Sequence, residues 1–163
     1  MTNARSISFT NIFPSHNVDE SRICGECNAC CLLLEIKTDI LQKPADILCK
    51  HSSKQDGCKI YKKRPAVCKT WYCAWREISE LPEECRPDKL GIVFTLEADP
   101  KHPDPSCRLY VLGRAITDEE TYKKPLAKSA FNMFIRQLPL WLVSHGQRVE
   151  YGSLAKGINP YFL

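Results

Sequence analysis

Cys24, Cys27 and Cys30 are spaced C-x2-C-x2-C, and Cys31 follows directly. Two residues between cysteines let the backbone curl so that successive sulfurs face one centre. Structural zinc sites use that spacing in pairs. Three in succession with a distant fourth is how bacterial ferredoxins present thiolates to a cubane cluster. Further thiols stand at Cys49, Cys58, Cys68 and Cys73, so eight of the ten cysteines fall between Cys24 and Cys73. This set is expected to hold a metal centre, zinc or an iron–sulfur cluster, and the triplet inclines the choice toward [4Fe-4S]. Eight thiols suffice for two four-thiolate sites or for one site with spares, and the sequence leaves the pairing open. Neighbouring side chains diverge, more so if a strand begins at Cys31. Cys30 and Cys31 are therefore expected not to share one small ion. Either one binds and the other packs, or each serves a different site. His51 is a nitrogen donor of a type zinc accepts, although the thiol supply is ample without it. Cys85 and Cys107 lie outside the set.

Compartment decides between metal ligation and disulfides. The first 21 residues contain no apolar stretch followed by a small-residue cleavage site, so no signal peptide is read. No apolar run approaches the length needed to span a bilayer, and no membrane partner is expected. The expected address is the cytoplasm, where thiols stay reduced and a dense cysteine pattern means metal or redox chemistry. A chain of 163 residues can also bury a core without disulfide support. A hydrophobic fraction of 44% and a charged fraction of 26% describe an ordinary globular composition.

Charge adds a local detail. The net charge of +4 is too weak by itself to argue for nucleic acid. Lys59, Lys62, Lys63, Arg64, Lys69 and Arg76 nevertheless fall among the later cysteines, interleaved with Tyr61, Trp71, Tyr72 and Trp75. Four thiolates on one zinc ion leave two negative charges, so these cations are read as counter-charge and solvated surface. Use of residues 59–76 as a nucleic-acid surface, with rings for stacking, is the less favoured reading.

The elements that must position the thiols are short. Residues 1–20 read as an arm, with Ile7–Phe13 a candidate for docking. Residues 21–86 form the cysteine-cluster region. A strand is expected at Leu32–Ile36, a helical turn within Asp46–Ser53, and a turn at Gln55-Asp56-Gly57. Pro65 suits the first position of a helix running through PAVCKTWYCAWREI. On one helix Cys68 and Cys73 would lie roughly 140° apart around the axis, unless it ends or bends between them. LPEECRPD, Leu81–Asp88, breaks the pattern and is the candidate boundary. Residues 87–163 then read β-β-α-β-β: strands at Ile92–Glu97 and Arg108–Ala115, a helix starting near Thr117–Glu119 and continuing through Leu126, Ala130, Phe134 and Leu138, then strands at Leu140–Val143 and Arg148–Tyr151. The fold class is α+β, a small antiparallel sheet with one helix on a face, expected to pack with the cysteine region as one compact domain.

CGECNACC, then Cys49, then CKIYKKRPAVCKTWYC resemble the CxxCxxCC cysteine-cluster family. That family is described as zinc- or iron-chelating and shares its signature with flagellin N-methylase-like proteins. Its hallmarks fall on Cys24, Cys27, Cys30 and Cys31, on Cys49, and on Cys58, Tyr61, Arg64, Pro65 and Cys68; Cys73 matches a frequent later cysteine. RPDKLGIVFTLE looks like the continuation in a bacterial subgroup, so the likeness spans about Cys24 to Glu97. The resemblance implies the eight thiols as metal ligands, with Tyr61 and Arg64 bordering the cofactor. Arg64 can donate hydrogen bonds to thiolates.

The expected function is metal binding, without an assigned physiological role. The first alternative is an iron–sulfur redox or modification enzyme of the methylase-like kind. The second is a protein- or nucleic-acid-interaction module using residues 59–76. No nucleophile–base pair stands out, and no glycine-rich nucleotide fingerprint follows a strand. Catalysis is therefore not assigned.

Overall fold

The computed structural model describes residues 18–154. The expected N-terminal arm, with Ile7–Phe13, lies almost wholly outside them. Among the described residues no helix is long and apolar enough to cross a membrane.

The cysteine-bearing segment consists of very short elements. Helix α1 (Ala29–Leu33) is followed by the paired strands β1 (Ile36–Lys37) and β2 (Gln42–Lys43). The hairpin β3 (Ser52–Ser53) and β4 (Gly57–Cys58) turns at residues 54–56, at the turn signal seen in the sequence. A 3-10 turn, Tyr61–Lys63, leads to helices α2 (Ala66–Thr70) and α3 (Ala74–Glu77). A second such turn, Glu83–Cys85, precedes α4 (Pro87–Leu90).

Three local expectations are corrected here. The apolar run Leu32–Ile36 is not a strand, because its first half completes α1 and only Ile36 enters β1. A short apolar run has no periodicity to separate the two states. Asp46–Ser53 holds turns and the start of the β3–β4 hairpin rather than a helical turn. The helix expected from Pro65 onward is two helices. Pro65 caps α2, whereas Trp71 is extended and Cys73 caps α3 in extended backbone.

The second half is a four-stranded sheet ordered β5 (Ile92–Ala98), β6 (Leu109–Ala115), β7 (Leu140–Ser144) and β8 (Gln147–Gly152). Helix α5 (Pro125–Ile135) joins β6 to β7, with Pro125 in its first turn. The β-β-α-β-β order is present. The sheet is not wholly antiparallel, however. β5 and β6 pair antiparallel, as do β7 and β8, but β6 and β7 run parallel. A helix long enough to return the chain to the same end of the sheet makes the next strand parallel to the one before it. Thr117–Glu119 does not begin that helix; Glu119–Lys123 forms a separate 3-10 turn.

Ile92 and Phe94 on one face of β5 and the three- and four-residue spacing on α5 bring apolar faces together. Phe94 meets Phe131 and Phe134 at centroid separations of 6.0 and 4.7 Å, and Phe131 meets Tyr151 at 4.7 Å. At Gly113 a Cβ would stand 2.7 Å from Leu142 and 2.9 Å from the Phe94 ring, so only glycine lets α5 and the sheet close at this density. The buried Tyr122 hydroxyl donates to Val143 O at 2.8 Å and accepts from Ala115 N at 2.9 Å. Burial pushes its phenol up to about 12.

The two halves share this core. Ala74 and Trp75 from α3, with Ile78, Leu81, Cys85 and Leu90 from the segment that follows, are buried in one cluster with Phe94, Phe134 and Leu142. Arg114 of β6 also reaches across, donating to both Asp46 carboxylate oxygens at 2.6 and 2.7 Å and to Leu33 O at 3.3 Å. The sheet thereby fixes the base on which the cysteine segment is built.

Candidate metal centre

The thiols are gathered by backbone ties between short elements. Cys27 N donates to Cys24 O at 2.9 Å, which curls the C-x2-C turn before α1. Cys49 N donates to Cys31 O at 2.9 Å, and Ser52 N to Cys49 O at 2.9 Å. Ser52 in turn faces Cys58 across the β3–β4 hairpin. Cys68 lies on α2.

As a result the triplet Cys24, Cys27 and Cys30 lines one cavity of about 290 Å³ together with Cys31, Cys49, Cys58 and Cys68. His51, Tyr61 and Arg64 border the same space. Cys73 does not. The break at Trp71–Cys73 turns it into a neighbouring cavity of about 40 Å³, which Cys24, Cys27, Cys30 and Cys68 also line. Cys85 and Cys107 are buried elsewhere, Cys85 in the main core and Cys107 with its sulfur 3.4 Å from Asp104 Oδ2. None of the ten cysteines is in a disulfide.

As placed, no group of three or more His, Cys, Asp or Glu among the described residues is arranged to hold a metal ion. The thiols line walls rather than meeting at a point. Each cysteine sulfur hangs on one rotatable bond with three staggered positions, so rotation about χ1 is what would turn a wall of thiols into a grip.

The donor set has the chemistry of a thiolate centre. Burial raises the Cys27, Cys58 and Cys68 thiols above their ordinary range and pushes Cys73 up to about 12. Cys31 goes the other way. A hydrogen bond from Cys30 lowers it to about 6, helped by Ser52, Cys58 and the nearby Lys43 charge, and the same bond raises Cys30. Both residues lie in α1, where consecutive positions are about 100° apart, so they do not diverge as fully as strand neighbours would. A bound cation would displace the protons from the raised thiols, so loading would release protons.

Cations surround the cavities. The lysines of the basic stretch, Lys59, Lys62, Lys63 and Lys69, are exposed, whereas Arg64 is half-buried and Arg76 buried. Arg64 lies over the Tyr61 ring at 4.0 Å and Arg76 over the Tyr72 ring at 5.5 Å. The Nε of each is buried without a hydrogen-bond partner. Orphaned guanidinium donors beside thiols fit an anionic group, since charge-assisted N–H bonds are the strong ones. The Tyr61 hydroxyl is 3.8 Å from Cys24 Sγ and 3.4 Å from Arg76 Nη1.

Lys43 is the cation that the sequence does not mark. It is only 5% exposed, and its ammonium donates to Leu32 O at 2.9 Å and to Pro44 O and Ile47 O at 2.7 Å. These bonds hold it close enough to Cys31 and Cys49 for their charges to interact. Only an isolated lysine between Leu41 and Pro44 is visible in the sequence, and nothing local separates it from an exposed one.

Gly57 decides whether the pieces close. It has φ +65°, and a Cβ there would stand 2.2 Å from Gly25 O, between the hairpin carrying Cys58 and the turn carrying Cys24 and Cys27. Gly57→Ala should combine left-handed strain with a backbone clash and destabilise by about 2–4 kcal/mol. Urea unfolding monitored by circular dichroism checks it; a loss under about 0.5 kcal/mol, the scale of an ordinary surface change, would show that the turn and hairpin are not in close contact.

Compared with family models, with curated proteins and with solved structures, the chain matches none.

Proposed function

We propose that this chain binds a metal centre through the thiolates of its N-terminal half, either an iron–sulfur cluster or zinc, and that it belongs with the CxxCxxCC cysteine-cluster proteins it resembles. The observation that carries the reading is the convergence of seven cysteines, from a turn, α1, a loop, a hairpin and α2, on one cavity of about 290 Å³. Their separation in sequence, from Cys24 to Cys68, leaves little room for coincidence. The unpartnered Nε atoms of Arg64 and Arg76 support the same reading, because a thiolate centre is anionic. The C-x2-C-x2-C triplet favours [4Fe-4S], with zinc as the aerobic substitute.

A bound cluster would supply one-electron chemistry, whereas a closed zinc site would only cross-link the fold. The chain's own contribution is the thiolate wall, the arginine donors and the apolar liners Leu34, Ile36 and Leu41, which limit water access. The exposed lysines of residues 59–76 leave a nucleic-acid surface as the less favoured reading, since the arginines of that stretch turn toward the thiols.

Metal analysis and the visible spectrum of protein purified without oxygen test the proposal. Brown protein with iron and acid-labile sulfide in about four-to-four proportion per centre is the expected result. Colourless protein with bound zinc keeps the thiolate reading and makes the centre structural. Protein with neither metal nor cluster, and no uptake of either, overturns it.

A further inference from the structure

Five of the eight thiols divide into two groups by what they pack against. Cys27 and Cys73 pack on a small cluster of Ala29, Leu33 and Val93. Cys49 is buried with Ile36 and Leu41, and Cys31 and Cys68 pack on that second cluster. The clusters have no residue in common. The cavities overlap, since Cys24, Cys27, Cys30 and Cys68 line both, but they separate the outer members: the smaller reaches Cys73 and not Cys31, Cys49 or Cys58, and the larger reaches those three and not Cys73.

Backbone ties sort the remaining members. Cys24 is bound to Cys27 through its carbonyl, and Cys31 to Cys49. Cys58 sits opposite Ser52, which is tied to Cys49. Cys30 lines both cavities and stands at the triplet's spacing after Cys24 and Cys27, which assigns it to them.

We propose that these thiols form two four-thiolate sites placed back to back across α1, one of Cys24, Cys27, Cys30 and Cys73, the other of Cys31, Cys49, Cys58 and Cys68. The proposal rests on the thiolate reading above. Cys30 and Cys31 are the seam. Consecutive positions on a helix project about 100° apart, so adjacent residues can serve different centres. Two-cluster ferredoxins divide a cysteine run in this manner, the last member of the run serving the other cluster. Each site also has its own cation. Arg76 borders the smaller cavity, and Lys43 stands beside Cys31 and Cys49. Arg64 borders both cavities.

The test titrates reduced, metal-free protein with cobalt(II) under exclusion of oxygen, reading thiolate-to-cobalt absorption. Wild type should saturate at two equivalents. Cys27→Ser and Cys49→Ser should each remove one. The same-site double variant Cys27→Ser/Cys73→Ser should still bind one, and the cross-site double variant Cys27→Ser/Cys49→Ser none. Saturation of wild type at one equivalent, or loss of both by the same-site double variant, overturns the division and leaves the thiolate reading intact. No thiolate absorption from wild type overturns both. If the variants do not fold, wild type at one equivalent of cobalt decides the pairing. Cysteines protected from iodoacetamide, mapped by peptide mass spectrometry, should fall into the two named quartets, and protection that mixes them counts against the proposal.

Discussion

Replacing Arg22 by alanine should destabilise the protein by about 3–5 kcal/mol, the cost of removing one partner from a partly buried charged network. The Arg22 guanidinium donates to four carbonyls. Nη1 binds Trp75 O and, at 3.0 Å, Ile78 O; Nη2 binds Ser79 O at 2.7 Å and Leu81 O at 2.6 Å. Trp75 lies in α3, and the other three belong to the C-cap and turn that follow that short helix. Terminal carbonyls of a helix have no partner within the helix; the fork supplies one for Trp75 O and for three carbonyls of the segment that follows. The guanidinium also stacks on the Trp75 ring at 4.8 Å. Without it, several part-buried acceptors are left dry and the turn before the Cys24 loop loses its anchor to the shared core. Arg22→Lys should recover only part of the loss, because a single ammonium cannot reach four acceptors in this arrangement. Urea unfolding of both variants measures the effect. A shift below about 1 kcal/mol for the alanine variant, the range of an exposed ion pair, would mean that water replaces the arginine at little cost.

Arg22 also shows why part of this fold was hidden in the sequence. Its carbonyl partners are more than fifty residues away, and no local pattern records such a contact. What repeats locally was readable. The apolar spacing on α5 and the short strand-sized runs between proline- and glycine-containing turns identify those elements to within a few residues. Strand direction was not, because the same apolar pattern suits β7 in either orientation; only the crossover through α5 makes it parallel to β6. The end of α2 was missed because Thr70 to Cys73 contains neither glycine nor proline. The gathering of Cys24, Cys27 and Cys30 was legible from spacing alone, since two intervening residues dictate a curl. That Cys73 leaves the larger cavity, that Arg76 turns inward while the lysines face solvent, and that Lys43 is buried all depend on tertiary packing.

Stripping the proposed centre with a chelator, in the presence of a thiol reductant, should release the cysteine segment and leave the sheet folded. The main core holds Phe94, Val111, Phe131, Phe134, Leu140 and Leu142 fully or almost fully buried between α5 and the sheet. The clusters beneath the cysteines bury only three residues each, Ala29, Leu33 and Val93 in one and Ile36, Leu41 and Cys49 in the other. Strands of two residues and helices of five are far below the length at which such elements are stable by themselves. A metal centre joining Cys24 to Cys73 would compensate for that missing core, and apparent binding energies of roughly 10–16 kcal/mol in small zinc domains are enough to fold such a segment outright. Amide hydrogen exchange resolves the outcome by region. Residues 24–70 should exchange at least about a hundredfold faster after stripping, equivalent to roughly 3 kcal/mol of lost local stability, while β5 to β7 keep their protection. Unchanged exchange in both regions would show that the cysteine segment folds without a metal. Loss of protection in both would show that the shared core around Trp75 makes the two halves one cooperative unit, with the thiols supporting the whole chain.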